Sequence, residues 1–397
     1  MMWERVKLAD VSDSCLGKML DQRKNKGIYK PYLANVNVRW GAFDLDNLQE
    51  MKFEDDEDER YGIKYGDLII CEGGEPGRCA IWKEQLPNMK IQKALHRLRV
   101  NEEMDYRYVY YWFLLAGKQG ALKQYYTGAT IMHMPGQKLK EVVIDKPPLD
   151  VQRKIGDYLE AYDDFIENNQ KQIKLLEEAA QRLYKEWFVD LRFPGYEDVD
   201  VVDGVPEGWT EDTIDSKIDL LSGYAFKSAE FNGEGTYKIV TIKNVKDGQF
   251  DGDNVSRMVD IPKKMPEHCK LSDGDILLSL TGNVGRVCIV HGDNYLLNQR
   301  VAKIKSDNPT YAYCLFRSKD MFDKMNNLAN GAAQQNLSPI RTGKIKVVFP
   351  TDKLISAFEG IVSPMIQEIT LLNKTVLLLS QACDRLLPKL MNGEIEV

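Results

Sequence analysis

No run of about 18 apolar residues occurs in this 397-residue chain, so no segment reads as a membrane span. The opening MMWERVKLADV is charged and lacks the apolar stretch of a signal peptide, which predicts a cytoplasmic protein. The seven cysteines are scattered without a CxxC pair, as reduced thiols would be, and His268-Cys269 stands without zinc-ligand spacing. The four histidines, His96, His133, His268 and His291, form no spaced pair. There is no GxxxxGK[ST] phosphate loop. There is also no [DNS]PP[YFW] tetrapeptide of the kind that holds a flipped base for amino methylation. Asp145-Lys146-Pro147-Pro148-Leu149 carries an inserted lysine and no aromatic. No nucleophile, general base or metal constellation can be assembled, so the chain reads as non-catalytic, with no cofactor and no metal.

What the chain has is a repeat. Residues 66–81, GDLIICEGGEPGRCAI, match residues 274–289, GDILLSLTGNVGRVCI, without a gap and 208 positions apart. Each copy opens on a tryptophan, Trp3 and Trp209. Next come residues 29–36, YKPYLANV, and 237–245, YKIVTIKNV, related by one insertion. Gly128-Ala129 and Gly331-Ala332 lie 203 apart, as do Pro147 and Pro350. Short apolar runs broken by Gly, Asp and Asn read as strands, and 106–126 and 310–328 read as helices. Each copy is therefore predicted to be an α+β head with a twisted, mostly antiparallel sheet.

Behind each head the apolar positions take the alternating four-three rhythm of a heptad seam. The first seam holds Ile155, Leu159, Ile166, Asn169, Ile173, Leu176 and Leu183; the second holds Ile369, Leu372, Val376, Leu379 and Leu386. The first helix is predicted from Leu149 to about Phe188, roughly 60 Å. Polar Asn169 faces the choice between a register-setting seam residue and a wet edge. Ser363-Pro364 predicts a short helix over 351–361 and a restart at Pro364 running to about Leu386. The chain divides into a head over 1–147, a helix over 148–193, a linker over 194–206, a second head over 207–350, and a second helix with tail over 351–397.

Net charge is −7, unpromising for a nucleic-acid partner until it is divided. Residues 1–147 and 206–350 each stand at +1, while 148–205 carry −7 and 351–397 carry −2. The first head also contains the acidic run 54–59, which reads as a solvated loop; without it that head would stand at +7. Acidic helices with more basic heads leave each head free to present a basic face.

The Gly-rich stretches 72–78 and 280–286 lie between strands and read as hairpins, each ending in Gly-Arg. Such a hairpin can place backbone amides and a guanidinium against phosphate. The candidate nucleic-acid contacts are Gly74, Arg78, Gln92, Lys93, Arg97 and Lys138 in the first head. In the second they are Asn283, Arg286, Asn298, Gln299, Arg300, Gln334, Gln335 and Asn336. Arg, Asn and Gln are the side chains that make paired hydrogen bonds to base edges.

Several motifs together resemble the specificity subunits of type I restriction–modification systems. They are the paired GD(L/I)(I/L)…GR segments, the junction PPLDVQRKIGDYLEAYDDFIENNQKQIKLLEEAAQRLYKEWF, the linker VPEGW and the closing LLPKLMNGEIEV. The resemblance covers essentially the whole chain. It implies two target-recognition domains separated by two long helices that form an antiparallel coiled coil. It also implies a bipartite, non-palindromic double-stranded DNA site with one half read by each domain. Its implied partners are methylation (M) subunits that modify adenine, and a restriction (R) subunit that can join them. A scaffold whose duplicated heads bind protein is the alternative.

Overall fold

The computed structural model describes residues 3–21, 25–231, 233–253, 255–329 and 335–397. The chain divides into two compact units, Met1–Asp164 with Ser380–Val397, and Phe165–Leu379.

The repeat seen in the sequence is a repeat of strand order. In the first head a four-stranded antiparallel sheet runs Ser12–Leu16, Leu95–Val100, Leu68–Cys71, Cys79–Ile81. In the second it runs Ile218–Ser222, Val301–Ser306, Ile276–Ser279, Val287–Ile289. The apolar runs LIIC and ILLS are buried at every position. The reason is that both faces of the sheet are covered, since successive side chains point to opposite sides. Leu68 and Ile70 enter the cluster built with helix Tyr106–Lys118, whereas Ile69 and Cys71 enter one with Leu33, Trp82 and Ile91. In the second head Ile276 and Leu278 separate from Leu277 in the same way.

A smaller sheet covers the second face. Ile28–Leu33 pairs antiparallel with Gln49–Phe53 and parallel with Lys90–Ile91. Tyr237–Val240 pairs antiparallel with Ser256–Met258 and parallel with Tyr295–Leu297. The heads are thus α+β with mostly antiparallel sheets. Each is closed by its first and last strands, Glu4–Lys7 on Val143–Lys146 and Thr210–Thr213 on Lys346–Phe349. The turn after the first strand of the small sheet also corrects the sequence match. Asn37 accepts from the Ala34 amide and donates to the Asp44 carbonyl; Asn244 does the same with Thr241 and Asp251. Asn37, not Asn35, is therefore the counterpart of Asn244, and Asn35 corresponds to Ile242.

Both predicted head helices are shorter or split. Tyr106–Lys118 is capped by Asp105 and stops before Gly120, whose left-handed φ of 71° leads into a 3-10 turn, Ala121–Tyr125. The second is two helices, Pro309–Arg317 and Lys319–Ala329, divided at extended Ser318, whose hydroxyl accepts from the Met321 amide.

The first long helix spans Leu149–Tyr184 and ends in one π turn, Lys185–Val189. The second is unbroken from Asp352 to Met391, which overturns the expected stop before Pro364 and carries the helix past Pro388. Proline in a helix interior loses a hydrogen bond and crowds the carbonyl four residues back, costing about 3 kcal/mol. Here that carbonyl belongs to Gly360, which is exposed with open space where a Cβ would stand, so it can turn toward water. Buried Phe358 and Val362 before the proline, and Ile366 and Ile369 after it, hold one apolar stripe in register.

The chain passes from the first unit to the second along the first helix and returns along the second. In the first unit Ile155 and Leu159 pack with Cys383, Leu387 and Leu390, with Leu386 alongside. In the second, Ile369 is buried, and Ile173, Leu176 and Leu183 pack half-buried against its cluster. Ile166, Val376 and Leu379 are half-buried and Leu372 is buried. Asn169 is buried as well, and its side-chain amide makes no hydrogen bond to a described residue. All seven cysteines are free, six of them buried.

Candidate nucleic-acid interface

Three loops meet at one edge of the first head. They are the 72–78 hairpin, the 92–94 turn and the loop around 127–134. The Glu72 amide donates to the Ala94 carbonyl at 2.8 Å, and the Met134 amide donates to the Glu72 carbonyl at 2.7 Å. The second head repeats this. The Leu280 amide donates to Arg300 at 3.0 Å, and the Leu337 amide donates to Leu280 at 2.7 Å. Single bridges tie the hairpin to the third loop, Gly73 with His133 and Thr281 with Asn336. Both hairpins need glycine: Gly74, Gly77, Gly282 and Gly285 all have φ between 73° and 88°.

This edge collects Gly74, Arg78, Gln92 and Lys93 in one head. In the other it collects Asn283, Arg286, Asn298, Gln299, Arg300, Gln335 and Asn336. Gln334 lies outside the described residues. Gly74, Lys93, Asn283, Gln299, Arg300, Gln335 and Asn336 are exposed. Asn336 is held by the Thr281 hydroxyl at 3.0 Å.

Two candidates are not brought there. Arg97 is 4% exposed and gives its guanidinium to Asp13 at 2.6 Å and to the carbonyls of Glu59 and Arg60. It is an internal strut rather than a surface contact, because its strand faces the small sheet at that register. Lys138 sits on the short helix Gly136–Lys140 and is paired with Glu141 at 2.6 Å.

The acidic run is solvated as expected at five of its six residues, Glu57 being half-buried, but it is not an irregular loop. It folds into a 3-10 turn, Asp55–Glu57, and a helical turn, Asp58–Tyr61, that cover lysines of the small sheet. Lys18, with a side chain only 3% exposed, pairs with Glu57 at 2.5 Å, donates to the Lys52 carbonyl and lies over the Phe53 ring. Asp58 takes Lys30 at 2.8 Å and Lys90 at 3.2 Å. Desolvation works against the Asp58 carboxylate, but the two lysines outweigh it and hold its pKa below the ordinary value. The network lies beneath the Gln92-Lys93 turn, since the Lys93 amide donates to the Lys18 carbonyl.

The hairpin arginines differ in the same sense. Arg78 donates to Glu75 at 3.1 Å and to the backbone and side-chain oxygens of Asn35, each at 3.2 Å. Asn35 also donates to the Gly73 carbonyl. The Arg286 guanidinium has no hydrogen-bond or ion-pair partner among the described residues, and only its backbone is bonded, to Ser279; Asn283 stands where Glu75 does and Ile242 where Asn35 does. Asn35 and Glu75 are site residues that the sequence pattern does not mark. The GR pairs point to the hairpins, but Asn35 lies 43 residues from Arg78.

Each head is also tied to the long helices. Arg107 pairs with Asp157 at 2.6 Å and Glu160 at 3.1 Å, and Tyr111 donates to Asp163. For the second head, Glu177 of the first long helix accepts from Tyr313 and pairs with Arg317; burial raises its pKa above the ordinary value although Arg317 pulls the other way. Among the described residues no three His, Cys, Asp or Glu side chains gather as a metal site, and no helix is long and apolar enough to cross a membrane.

The family described as "Type I restriction modification DNA specificity domain" matches twice, over residues 2–178 and 206–358. The chain is 27% identical over 351 residues to the type I restriction enzyme MjaIX specificity subunit of Methanocaldococcus jannaschii, covering 84% of this chain and 78% of that one. It is 27% identical to the MjaVIII specificity subunit of the same organism over 70% of this chain and 63% of that one. The crystal structure of the type I restriction–modification S subunit from M. genitalium is similar at a TM-score of 0.61 and 17% identity, over 98% of this chain and 96% of that one.

Proposed function

The chain belongs to the type I restriction modification DNA specificity family, and from that membership we propose that it reads a bipartite double-stranded DNA site. The head over 1–147 recognises one half and the head over 207–350 the other. As a non-catalytic specificity subunit, it directs M subunits that methylate adenine, and an R subunit where one joins, in the cytoplasm. The observation that carries the reading is the three-loop edge: the same backbone bonds hold it in both heads, while its side chains differ between them. One scaffold offering two sets of polar side chains suits two different half-sites. The two long helices act as the spacer, and joining two weak readers raises affinity only at the separations the spacer permits.

The test is methylation by the complex with its M subunits on DNA libraries of randomised gap length. Inserting one heptad at matched positions in both helices adds roughly 10 Å, about three base pairs at 3.4 Å each. The preferred gap lengthens, or two-headed modification is lost because the added DNA twist turns one half-site away. A variant that modifies the parental gap with equal efficiency would refute the spacer. A complex indifferent to DNA sequence would instead favour the protein-binding scaffold.

A further inference from the structure

The two hairpins share backbone, register and a Gly-Arg ending, yet their arginines are in different electrostatic states. Arg78 is closed into a clamp with Glu75 and Asn35, its charge answered inside the head. Arg286 is half-buried at the root of its hairpin, and both clamp positions have been replaced, by Asn283 and Ile242. The methyl end of Ile242 fills the space over Gly282 just as the Asn35 amide does over Gly74, so the backbone is kept while the acceptor is lost.

The imbalance extends along the edge. In the first head Arg78, Arg97 and Lys138 are all paired internally, and only Lys93 among the nominated cations is without a partner. In the second, neither the Arg286 nor the Arg300 guanidinium has a partner among the described residues.

We infer that the heads divide the charged contacts unequally: Arg286 is a DNA-phosphate contact of the second head, and Arg78 is a positioning residue that braces the first hairpin. The first head then discriminates with Gly74, Gln92 and Lys93 on a self-neutralised hairpin, and the second supplies more of the salt-dependent affinity. This rests on the proposed function, because it presupposes that the three-loop edge meets DNA. A phosphate contact releases counterions, so each one contributes about 0.9 to the slope of log K against log salt. A guanidinium already paired with a carboxylate contributes far less, because its charge is already compensated.

The experiment measures DNA binding by the complex with its M subunits between 50 and 200 mM salt, on one cognate site. Arg286→Ala should flatten the slope by about 1, making affinity about three- to fourfold less salt-sensitive over that range. Arg78→Ala should leave the slope unchanged. Two grafts keep both arginines and guard against misfolding. Ile242→Asn with Asn283→Glu builds the clamp in the second head and should flatten the slope as Arg286→Ala does. Asn35→Ile with Glu75→Gln opens the clamp in the first head and should steepen it, which loss of a purely structural brace would not do. Equal flattening by Arg78→Ala and Arg286→Ala overturns the inference and leaves the proposed function standing, as does a slope that neither graft moves. An unaltered complex that binds no DNA removes the proposed function and the inference with it.

Discussion

The two heads support the same turn differently: an apolar cluster lies under it in both, Tyr32, Met51 and Phe53 in the first, and the first adds ion pairs to it. Beneath the Gln92-Lys93 turn lie Lys18, Lys30 and Lys90, with Glu57 and Asp58 from the acidic run. Beneath the Asn298-Gln299 turn lie Phe226, Ile239, Met258 and Leu296, all buried. The positions correspond through the strand register: Lys90 opposes Tyr32 in one head as Leu296 opposes Ile239 in the other. Backbone pairing survives duplication because it depends on strand order, whereas what fills the space below a loop is free to add or omit ion pairs. The practical difference is environmental. A charged support responds to pH and to loss of a single partner, and an apolar one responds chiefly to lost volume.

The largest expected effect comes from stranding one member of the buried pair. Glu57→Ala leaves the Lys18 ammonium enclosed with only the Lys52 carbonyl and the Phe53 ring, and should destabilise the first head by about 3 kcal/mol. Phe226→Ala should cost the second head a similar amount, about 3 kcal/mol, through its cavity. Calorimetry of the whole chain checks both: each variant should lower a different unfolding step. If both variants lower the same step, the heads do not unfold independently and the comparison fails.

A pH titration separates the supports more gently. The Asp58 pKa is depressed in the folded state, so the stability it lends is present above the ordinary carboxylate pKa and lost as pH falls through the folded value. The first head should therefore lose stability on acidification below about pH 4, and Asp58→Asn should blunt that loss. The step assigned by Phe226→Ala should show no change with Asp58→Asn. Acid profiles unaltered by Asp58→Asn would mean that the lysines find other partners.

Asn169 sharpens a comparison between the long helices. Leu372 fills the matching seam position, and the Asn169 side-chain amide is without a hydrogen bond to a described residue. Asn169→Leu should stabilise the second unit by about 1–2 kcal/mol. A melting temperature that falls would show that the amide has a partner or fixes a register.

How much of this could be read from the chain depends on range. The heptad seam was legible because helical periodicity is local, and the hairpins because they match without a gap. Pro364 misled because a local rule was applied without the stripe that continues on both sides of it or the exposed Gly360 behind it. Arg97 was nominated because a cation in a strand carries no mark of its burial; Asp13, its partner, is on a strand 84 residues away. The acidic run was equally opaque, since Lys18 and Lys30 reach it from segments 39 and 28 residues away. The different states of Arg78 and Arg286 were hidden for the same reason, because Asn35 and Ile242 become comparable only once Asn37 and Asn244 are seen to make the same turn.

The smallest predicted effect concerns a strain that one head has and the other lacks. Ala94 has φ of 95°, a left-handed conformation that an L side chain rarely adopts, while its counterpart Arg300 has no positive φ. The carbonyls of both residues accept the corresponding amide, from Glu72 and from Leu280, so the strain is not required by the shared hydrogen bond. It is held in place by the turn that carries Lys93 over Lys18. Ala94→Gly removes the Cβ penalty of about 1–2 kcal/mol, offset by about 0.5–1 kcal/mol of added freedom in the unfolded chain. The net gain for the first head should be about 0.5–1 kcal/mol, read as a small rise in its unfolding step. Because the looser turn presents Gln92 and Lys93 less rigidly, discrimination at the first half-site should fall while the second half-site is unaffected. If the variant is less stable than the parent, the left-handed turn is not strained. If discrimination falls equally at both half-sites, the turn is not specific to one of them.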